Sequence, residues 1–419
     1  MDRNAGARTE GSLAVAVSRA AREVRVRPAR RIDLLAHFAG AFDLAEEQEV
    51  GHAARVAYLA DRIAVALGMG AEAQARVLHA GLLHGSALIG RPDGAADAGA
   101  WVASRFDLDA QVQDALRGIH ERWDGRGRPS GLSGTEIPLE ALCVSAAHWA
   151  SEYTDHVDHP LRARRGLQRA QESELVPLVG AHVADALRGV LRDDETWLAL
   201  WGEDIAGVVA RLGVAEGKPS RRRVQDAAAA MGEVIDAAVR EPGRAARVST
   251  LAQVLAARLG LSDGVCEAIA LAGHVMDIGQ LGVPRTILAK PSILTVDEME
   301  LMRRHPGLGA RLIEGIPGFD EVTEWVEQHH ERPDGRGYPE MLSDPDLPLP
   351  PRILSVADAY WALRAPRPFR AALDSAEAIE TLEASAGRQF DADVLAVLPG
   401  TLSLVDELLS EVGAEAAGG

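Results

Sequence analysis

The chain has 419 residues and a formal net charge of −18; 47% of its residues are hydrophobic, but only 4% are aromatic. So acidic a chain lacks the basic surface that long nucleic acids require, no apolar run reaches the roughly 18 residues of a membrane helix, and no secretory signal pattern is present. We therefore predict a cytoplasmic protein without nucleic-acid or membrane partners. Cys143 and Cys266 lie in apolar stretches and are predicted to be buried free thiols.

The chain contains two copies of one pattern, so each copy can be compared with the other. The run from His329 to Pro339 reads HHERPDGRGYP, and an imperfect copy, HERWDGRGRP, runs from His120 to Pro129. The repeat divides the chain into five predicted segments. These are a flexible N-terminal segment (1–30), a first domain (31–212), a linker (213–221), a second domain (222–408) and a disordered tail (409–419).

Apolar residues recur at helical spacing in both copies, as from Val56 to Leu67 and from Val248 to Leu259. Few segments alternate as strands do, and the abundant alanine and leucine favour helices that pack through aliphatic side chains. We therefore predict an all-α fold with two helical domains in tandem.

The second copy carries 18 residues that the first copy lacks. Matching blocks upstream lie 192 residues apart, whereas His120 precedes His330 by 210 residues. The surplus lies within Leu281–Gly309, where Thr295–Glu298 forms a capping box that starts a helix. That helix is predicted to end at His305, which places one imidazole at a helix terminus.

Several residues of the second copy could bind a metal ion. His329 and His330 are adjacent at the end of a predicted helix, and neutral imidazole is a good ligand for iron, manganese, nickel or zinc. Asp277 and Asp358 lie in apolar helices, where a carboxylate is costly to bury without a cation. For either aspartate alone, a salt bridge or an exposed helix face is an equally good interpretation. His305 is a ligand only if such partners converge on it.

The second copy resembles the HD-GYP domain, a subgroup of the HD metal-dependent phosphohydrolases best known for hydrolysing cyclic di-GMP. The resemblance covers nearly all of this copy, and the first copy looks like a more altered form of the same domain. The matching motifs are Asp277-Ile278-Gly279, Val283-Pro284, Ile287-Leu288, Lys290-Pro291, Leu294-Thr295, His305-Pro306, Gly309, the HHERPDGRGYP run, Val356-Ala357-Asp358 and Arg367-Pro368-Phe369-Arg370.

The resemblance implies a centre of two metal ions. One ion of the family's centre is bound by a bridging aspartate, the histidine of the inserted helix and two adjacent histidines, and these positions are Asp277, His305, His329 and His330 here. We expect one divalent ion in the second domain, with iron or manganese preferred and zinc or nickel as alternatives. Asp277 and Asp358 are the expected catalytic carboxylates.

The neighbouring metal position has lost its histidines in the second copy. Arg244 and Met276 stand at those two positions, and Gln280 stands where the family has a lysine. Two ions together clamp the attacking and departing oxygens, so hydrolysis should be slow or absent. Arg244 is expected to neutralise Asp277 and Asp358 in place of the missing cation.

The first copy departs from the pattern in another way. It keeps His52 and His84, but Gly85 replaces the bridging aspartate and His148 stands at the later aspartate position. Together with His120, these histidines form a candidate second metal site. The alternative is a decayed site whose histidines are only hydrogen-bonded.

Two functions remain open. The first is an HD-GYP-like metal-binding protein with impaired metal-dependent phosphodiesterase chemistry, which recognises a cyclic dinucleotide or related phosphate ligand through Arg367 and Arg370. The alternative is a catalytically inactive regulatory or scaffold protein that contacts a protein partner through the Gly337-Tyr338-Pro339 loop. A homodimer is compatible with either function.

Overall fold

The computed structural model describes residues 24–88, 97–153, 159–169, 172–202, 204–212, 218–366 and 370–418. Across these ranges the regular secondary structure is helical, and the β-type pairing consists of three isolated bridges. The all-α prediction is therefore confirmed. None of the helices in the described ranges is both long enough and apolar enough to span a membrane.

The chain folds as two units, each of which carries one copy of the repeat. The first unit is Ala29–Arg223, and the second is the described chain from Val224 onward together with residues 24–28. Val24 and Val26 are buried. The described part of the segment predicted to be flexible thus packs into a core, because its valines are apolar. Residues 1–23 lie outside the described residues.

The first unit is built from short and medium-length helices. They are α1 (Arg31–Ala45), α2 (His52–Ala66), α3 (Ala71–Leu83), α4 (Ala98–Arg105), α5 (Ala110–Gly118), α6 (Leu139–Ser151), α7 (Pro160–Arg169), α8 (Glu172–Val190), α9 (Asp194–Leu200) and α10 (Ile205–Arg211), with 3₁₀ turns at His84–Leu88 and Gly134–Glu136.

The second unit repeats much of this order. Its helices are α11 (Arg221–Val239), α12 (Arg244–Arg258), α13 (Asp263–Val275), α14 (Arg285–Leu288), α15 (Val296–Met302), α16 (His305–Ile313), α17 (Asp320–Gln328), α18 (Leu349–Arg364), α19 (Ser375–Glu383), α20 (Ala392–Val397) and α21 (Leu402–Gly418), with a 3₁₀ turn at Ile278–Gly282.

One helix crossing is the same in both units. Helix α2 packs against α3 and α6, and α12 packs against α13 and α18. A Cβ atom on Gly81 would lie 2.6 Å from the Ala57 Cα, and one on Gly273 would lie 2.7 Å from the Ser249 Cα. Glycine therefore lets the two backbones touch at the same point in each unit. This crossing brings the start of one helix next to the end of the other.

The additional residues of the second unit form helices α14 and α15. The predicted capping box is present, since the Thr295 hydroxyl accepts from the Glu298 N–H and the Glu298 carboxylate accepts from the Thr295 N–H at 2.7 Å. The predicted helix end was wrong: α15 stops at Met302, and His305 begins α16 instead. Pro306 explains the difference, because proline is favoured in the first turn of a helix, where its missing N–H has no partner to lose.

Two further boundaries differ from those expected. Helix α11 begins at Arg221, the last residue of the predicted linker, and residues 213–217 of that linker lie outside the described residues. Helix α21 continues to Gly418, whereas disorder was expected after residue 408. The helix is anchored by the buried Val405, and the following alanines are strong helix formers.

Candidate metal centre

Three histidines of the second unit converge. One ring nitrogen from each of His305, His329 and His330 lies within 4.8 Å of the other two. His305 begins α16, which follows the inserted residues, and the adjacent pair follows the last residue of α17. The Nε2 atoms of His305 and His329 are 3.2 Å apart, and both rings are buried. The insertion and the adjacent pair together therefore build one imidazole cluster.

Hydrogen bonds fix which ring nitrogens face the cluster. His305 Nδ1 lies 2.8 Å from the Met302 carbonyl oxygen, and His329 Nδ1 lies 2.6 Å from the Val326 carbonyl oxygen. A carbonyl only accepts, so each Nδ1 donates and each Nε2 keeps its lone pair. Burial lowers the pKa of His305 to about 4 and that of His330 well below its usual value. At neutral pH His305 and His330 are thus neutral imidazoles, the form that binds metal.

Asp277 lies beside this cluster at the end of α13. Its Oδ1 atom is 3.4 Å from His305 Nε2, and the side chain is buried. Burial alone would raise the pKa of Asp277, but the charges of Arg244, His305 and His329 together hold it below its usual range. The structure therefore places an ionised carboxylate next to the imidazoles. All four residues that the resemblance implied as ligands of one ion lie in this region.

Arg244 joins the two carboxylates of the neighbouring position. Its Nη1 donates to Asp277 Oδ2, and its Nη2 donates to Asp358 Oδ1 at 2.5 Å. The Gln280 amide donates to the other oxygen of Asp277. The pKa of Arg244 is raised despite its burial, because these carboxylates favour its charged form. The contacts expected of a fixed cation are present, and the role of Arg244 in replacing a metal ion stays a prediction.

The loop that ends the HHERPDGRGYP run covers the cluster. The Tyr338 ring stacks on His330, with centroids 4.9 Å apart and ring planes 29° from parallel. The Arg303 guanidinium lies over the Tyr338 ring, 5.4 Å from the ring centroid. Burial and the charges of Asp277 and Asp358 raise the pKa of Tyr338. The loop is thus part of the site. The sequence alone had suggested it only as a surface for a protein partner.

The structure describes one of the two arginines expected to bind phosphate. Arg370 donates to the carbonyl oxygens of Ala362 and Leu363 at 3.0 and 2.9 Å, so its guanidinium binds the last turn of α18. Arg367 lies outside the described residues. The phosphate-binding role of both arginines stays a prediction.

Two buried aspartates that the sequence reasoning missed hold the helices of this region. Asp236 accepts from the Ala245 N–H with both oxygens at 3.1 Å, and Asp43 accepts from Gly51 and Ala53 at 2.8 and 2.9 Å. They fix the first turns of α12 and α2. The two aspartates lie 193 residues apart, close to the upstream offset of the repeat, so comparison of the copies could have revealed them.

Three of the four histidines expected in the first unit also converge. One ring nitrogen from each of His52, His84 and His148 lies within 4.8 Å of the other two. His120 is outside this group and is exposed, although its charge still helps to lower the pKa of His84. The all-imidazole site therefore has three members in the structure, not four.

Comparison with protein families finds the HD domain twice, at residues 231–394 and 50–150. The cyclic di-GMP phosphodiesterase response regulator RpfG of Xanthomonas campestris is 40% identical over 147 residues, which are 35% of this chain and 39% of that protein. The 3'3'-cGAMP-specific phosphodiesterase 3 of Vibrio cholerae is 26% identical over 317 residues, covering 74% of this chain and 67% of that protein. A cyclic di-GMP phosphodiesterase of Thermotoga maritima is 34% identical over 36% of this chain and 41% of that protein.

The fold is also found in a solved structure. The crystal structure of a cyclic GMP-AMP-specific phosphodiesterase of Vibrio cholerae, V-cGAP3, aligns with a TM-score of 0.66 at 21% identity, covering 90% of this chain and 99% of that one. This chain spans well under half the length of the Xanthomonas and Thermotoga relatives. The chain therefore contains two HD domains in tandem, one in each unit, as its resemblance to the HD-GYP family implied.

Proposed function

We propose that the second unit binds one divalent metal ion and uses it to hold a cyclic dinucleotide, with slow hydrolysis at most. The ligands of the ion are Asp277, His305, His329 and His330. Three converging imidazoles and one buried carboxylate suit iron or manganese, and zinc or nickel are further candidates. The carbonyl bonds to the Nδ1 atoms support this assignment, because they orient the rings before any ion arrives.

An ion bound here would withdraw charge from a phosphate oxygen and lower the pKa of a coordinated water. The protein's own part is to hold the ligands and cover them. Asp277 stays ionised beside His305, and Tyr338 packs its ring over His330. The exposed Arg303 above that ring offers a positive charge to a phosphate in an otherwise acidic chain.

The observation that carries the proposal of impaired hydrolysis is the pair of bonds from Arg244 to Asp277 and Asp358. The guanidinium places a positive charge between two negative carboxylates. It stays protonated, however, and cannot activate water as a second metal ion does. The second half of a two-ion clamp is therefore replaced by an inert cation.

The substrate class comes from the relatives. The named activities of the Xanthomonas and Thermotoga proteins concern cyclic di-GMP, and that of the Vibrio protein concerns 3'3'-cGAMP. We infer that a cyclic dinucleotide binds at the second unit, with one phosphate on the metal ion and Arg303 near the phosphate oxygens.

The test uses the full chain purified with and without added manganese or iron. We expect the metal content to fall by one ion per chain in the His329→Gln variant, and isothermal titration to show binding of cyclic di-GMP or 3'3'-cGAMP that His329→Gln abolishes. The exposed His159 provides the control, because His159→Gln should change neither quantity. A chain that binds no metal at this site, or binds nucleotide equally well without its histidines, contradicts the proposal.

A regulatory function is the second candidate, and Arg244 favours it too. Because the guanidinium already neutralises Asp277 and Asp358, the unit does not need a second ion to be stable. Nucleotide binding without turnover of cyclic di-GMP or of a nitrophenyl phosphodiester would make the protein a sensor. Absence of both binding and turnover would leave a scaffold whose contacts lie elsewhere.

A further inference from the structure

The first unit contains a buried histidine cluster that the proposed function does not use. The ring centroids of His52, His84 and His148 are 5.1 to 5.5 Å apart, and the Nε2 atoms of His52 and His84 are separated by 3.2 Å. His52 and His84 are almost inaccessible to solvent. Three imidazoles from three different helical segments thus meet in the interior.

The orientation of His84 matches that of a metal ligand. Its Nδ1 lies 2.7 Å from the Gly81 carbonyl oxygen, so Nδ1 donates and Nε2 faces His52 with a lone pair. Burial lowers the pKa of His84 well below its usual value, and the charges of His148 and His52 lower it further. His84 therefore resists a proton and offers a neutral nitrogen donor at neutral pH.

Gly85 leaves a space that a carboxylate from another helix fills. A Cβ atom on Gly85 would lie 2.7 Å from Glu46 Oε2 and 3.0 Å from the Glu46 Cδ. The counterpart of Gly85 in the second unit is Asp277, whose side chain therefore points into the equivalent space. Burial raises the pKa of Glu46, and His52 is the group that opposes this shift, which places the carboxylate in the field of the cluster.

We infer that His52, His84 and His148 bind a divalent cation, and that Glu46 is the neighbouring carboxylate that balances its charge. Glu46 follows the last residue of α1, outside every motif of the repeat. The first unit has Gly85 where the second unit has Asp277, and Glu46 supplies a carboxylate there from a different part of the chain.

The donor set defines the class of cation. Three imidazole nitrogens, with no carboxylate among the described residues of the cluster, suit a borderline cation such as zinc or cobalt(II), whose fourth ligand would be a water or another small ligand. Magnesium and calcium prefer oxygen ligands. The two units should therefore differ in metal preference, because the second unit adds Asp277 to its imidazoles. This inference does not depend on the proposed function, since none of its residues belongs to the second unit.

The experiment uses the full chain with His305→Gln and His329→Gln, two changes that remove proposed metal ligands from the second unit, so that any bound ion is held by the first unit. We expect this chain to retain one zinc ion after exhaustive dialysis, and to show the visible absorption of a nitrogen-ligated cobalt(II) ion when cobalt replaces zinc. Adding His52→Gln or His148→Gln should remove both signals. Retention of zinc after either change, or absence of zinc from the parent double variant, overturns the inference and supports histidines that are only hydrogen-bonded.

Glu46 gives a second test that leaves the ligands in place. Glu46→Gln should weaken zinc binding by about 10- to 100-fold, the usual effect of losing an outer carboxylate. Glu47→Gln makes the same charge change at the next, exposed residue and should have no effect. Circular dichroism of each metal-free variant establishes that it is folded. Equal zinc affinity in the two variants would show that Glu46 is not part of the site.

Discussion

Arg244 occupies on α12 the position that His52 occupies on α2. Each is the first residue of its helix, and each helix crosses the next one at a glycine. His52 places Nε2 3.2 Å from His84, whereas Arg244 places its guanidinium between Asp277 and Asp358. The same position of the fold thus has an imidazole, which can bind a metal ion, in the first unit and a permanently charged guanidinium in the second.

Removing this cation should destabilise the second unit. Arg244→Met keeps the length of the side chain but removes the cation that pairs with the buried Asp277 and the half-buried Asp358, which costs about 3 to 5 kcal/mol for a broken buried ion pair. Urea denaturation in the presence of a chelator measures the loss. Added manganese should recover part of it, because a divalent ion can neutralise the same carboxylates.

Arg258 provides the control for this change. It lies exposed in the last turn of the same helix, so Arg258→Met should alter the free energy of unfolding by less than about 0.5 kcal/mol. If the Arg244→Met variant is as stable as the parent in chelator, the guanidinium does not compensate the carboxylates.

Restoring both lost histidines should restore a second metal ion. The double variant Arg244→His and Met276→His places imidazoles where the first unit has His52 and His84. The new ring at position 276 has a carbonyl to bond, since Gly273 is the counterpart of Gly81. We expect one additional ion per chain, and hydrolysis of cyclic di-GMP faster by about a hundredfold, equivalent to about 2.7 kcal/mol of transition-state stabilisation.

Each single variant serves as the control, because either histidine alone supplies only one of the two missing ligands. Gain of the ion without gain of turnover would show that another loss limits the chemistry. Gln280→Lys in the same background then tests whether the missing positive charge is that limit.

Gly279 should be essential for the position of His305. A Cβ atom at this residue would lie 2.0 Å from the His305 carbonyl oxygen and 2.7 Å from the Gly309 N, so Gly279→Ala must push α16 away. We expect metal affinity at the second unit to fall by about 10- to 100-fold although every ligand is retained. Isothermal titration with manganese measures this change.

Gly307→Ala is the matched control on α16, since a Cβ there meets no atom closer than the Glu327 Oε1 at 3.7 Å. If the Gly279 and Gly307 variants bind metal equally well, the close contact does not position His305.

Acid should destabilise the protein through a histidine outside the metal cluster. His274 lies half-buried on α13, its buried Nδ1 atom has no hydrogen-bond partner within the part of the chain that the structure describes, and desolvation lowers its pKa to about 4. Between about pH 6.5 and pH 4 the unfolded chain binds a proton that the folded chain resists, so stability falls as pH decreases, by at most about 1.4 kcal/mol per pH unit.

His274→Leu should remove this contribution, because the first unit has the buried Leu82 at the same position. We expect the variant to gain stability over the parent, and the gain to be larger at about pH 5 than at about pH 7.5. Chemical denaturation at the two pH values provides the measurement. A constant difference between variant and parent would show that His274 does not titrate on unfolding.

The sequence predicted the helical fold from local patterns, and it predicted the second-unit cluster through its resemblance to the HD-GYP domain. Apolar spacing reports helices, and adjacent histidines at a helix end stay adjacent in any fold. The apolar surroundings of Asp277 and Asp358 indicated that a buried carboxylate needs a cation, and the resemblance to the HD-GYP domain implied Arg244 as that cation. The structure brings both to Arg244, whose side chain reaches them from a different helix.

Other parts of the sites could not be predicted, because they depend on tertiary packing. Glu46 belongs to no motif and reaches the first-unit cluster only through the space that Gly85 leaves. His120 was expected in that cluster but is exposed. Its counterpart His330 is covered by Tyr338, and the first unit has the exposed Arg128 at the tyrosine position.

The imidazole groups of the two units occupy different positions of one shared scaffold. The first group stands at the positions of Arg244, Met276 and Asp358, and the second group includes His305, which has no counterpart in the first unit. If both groups bind ions as proposed, one paired centre is divided between the duplicates, and each duplicate can specialise. A chain arranged in this way would report on two different cations independently, so starvation for one would leave the occupancy of the other unchanged.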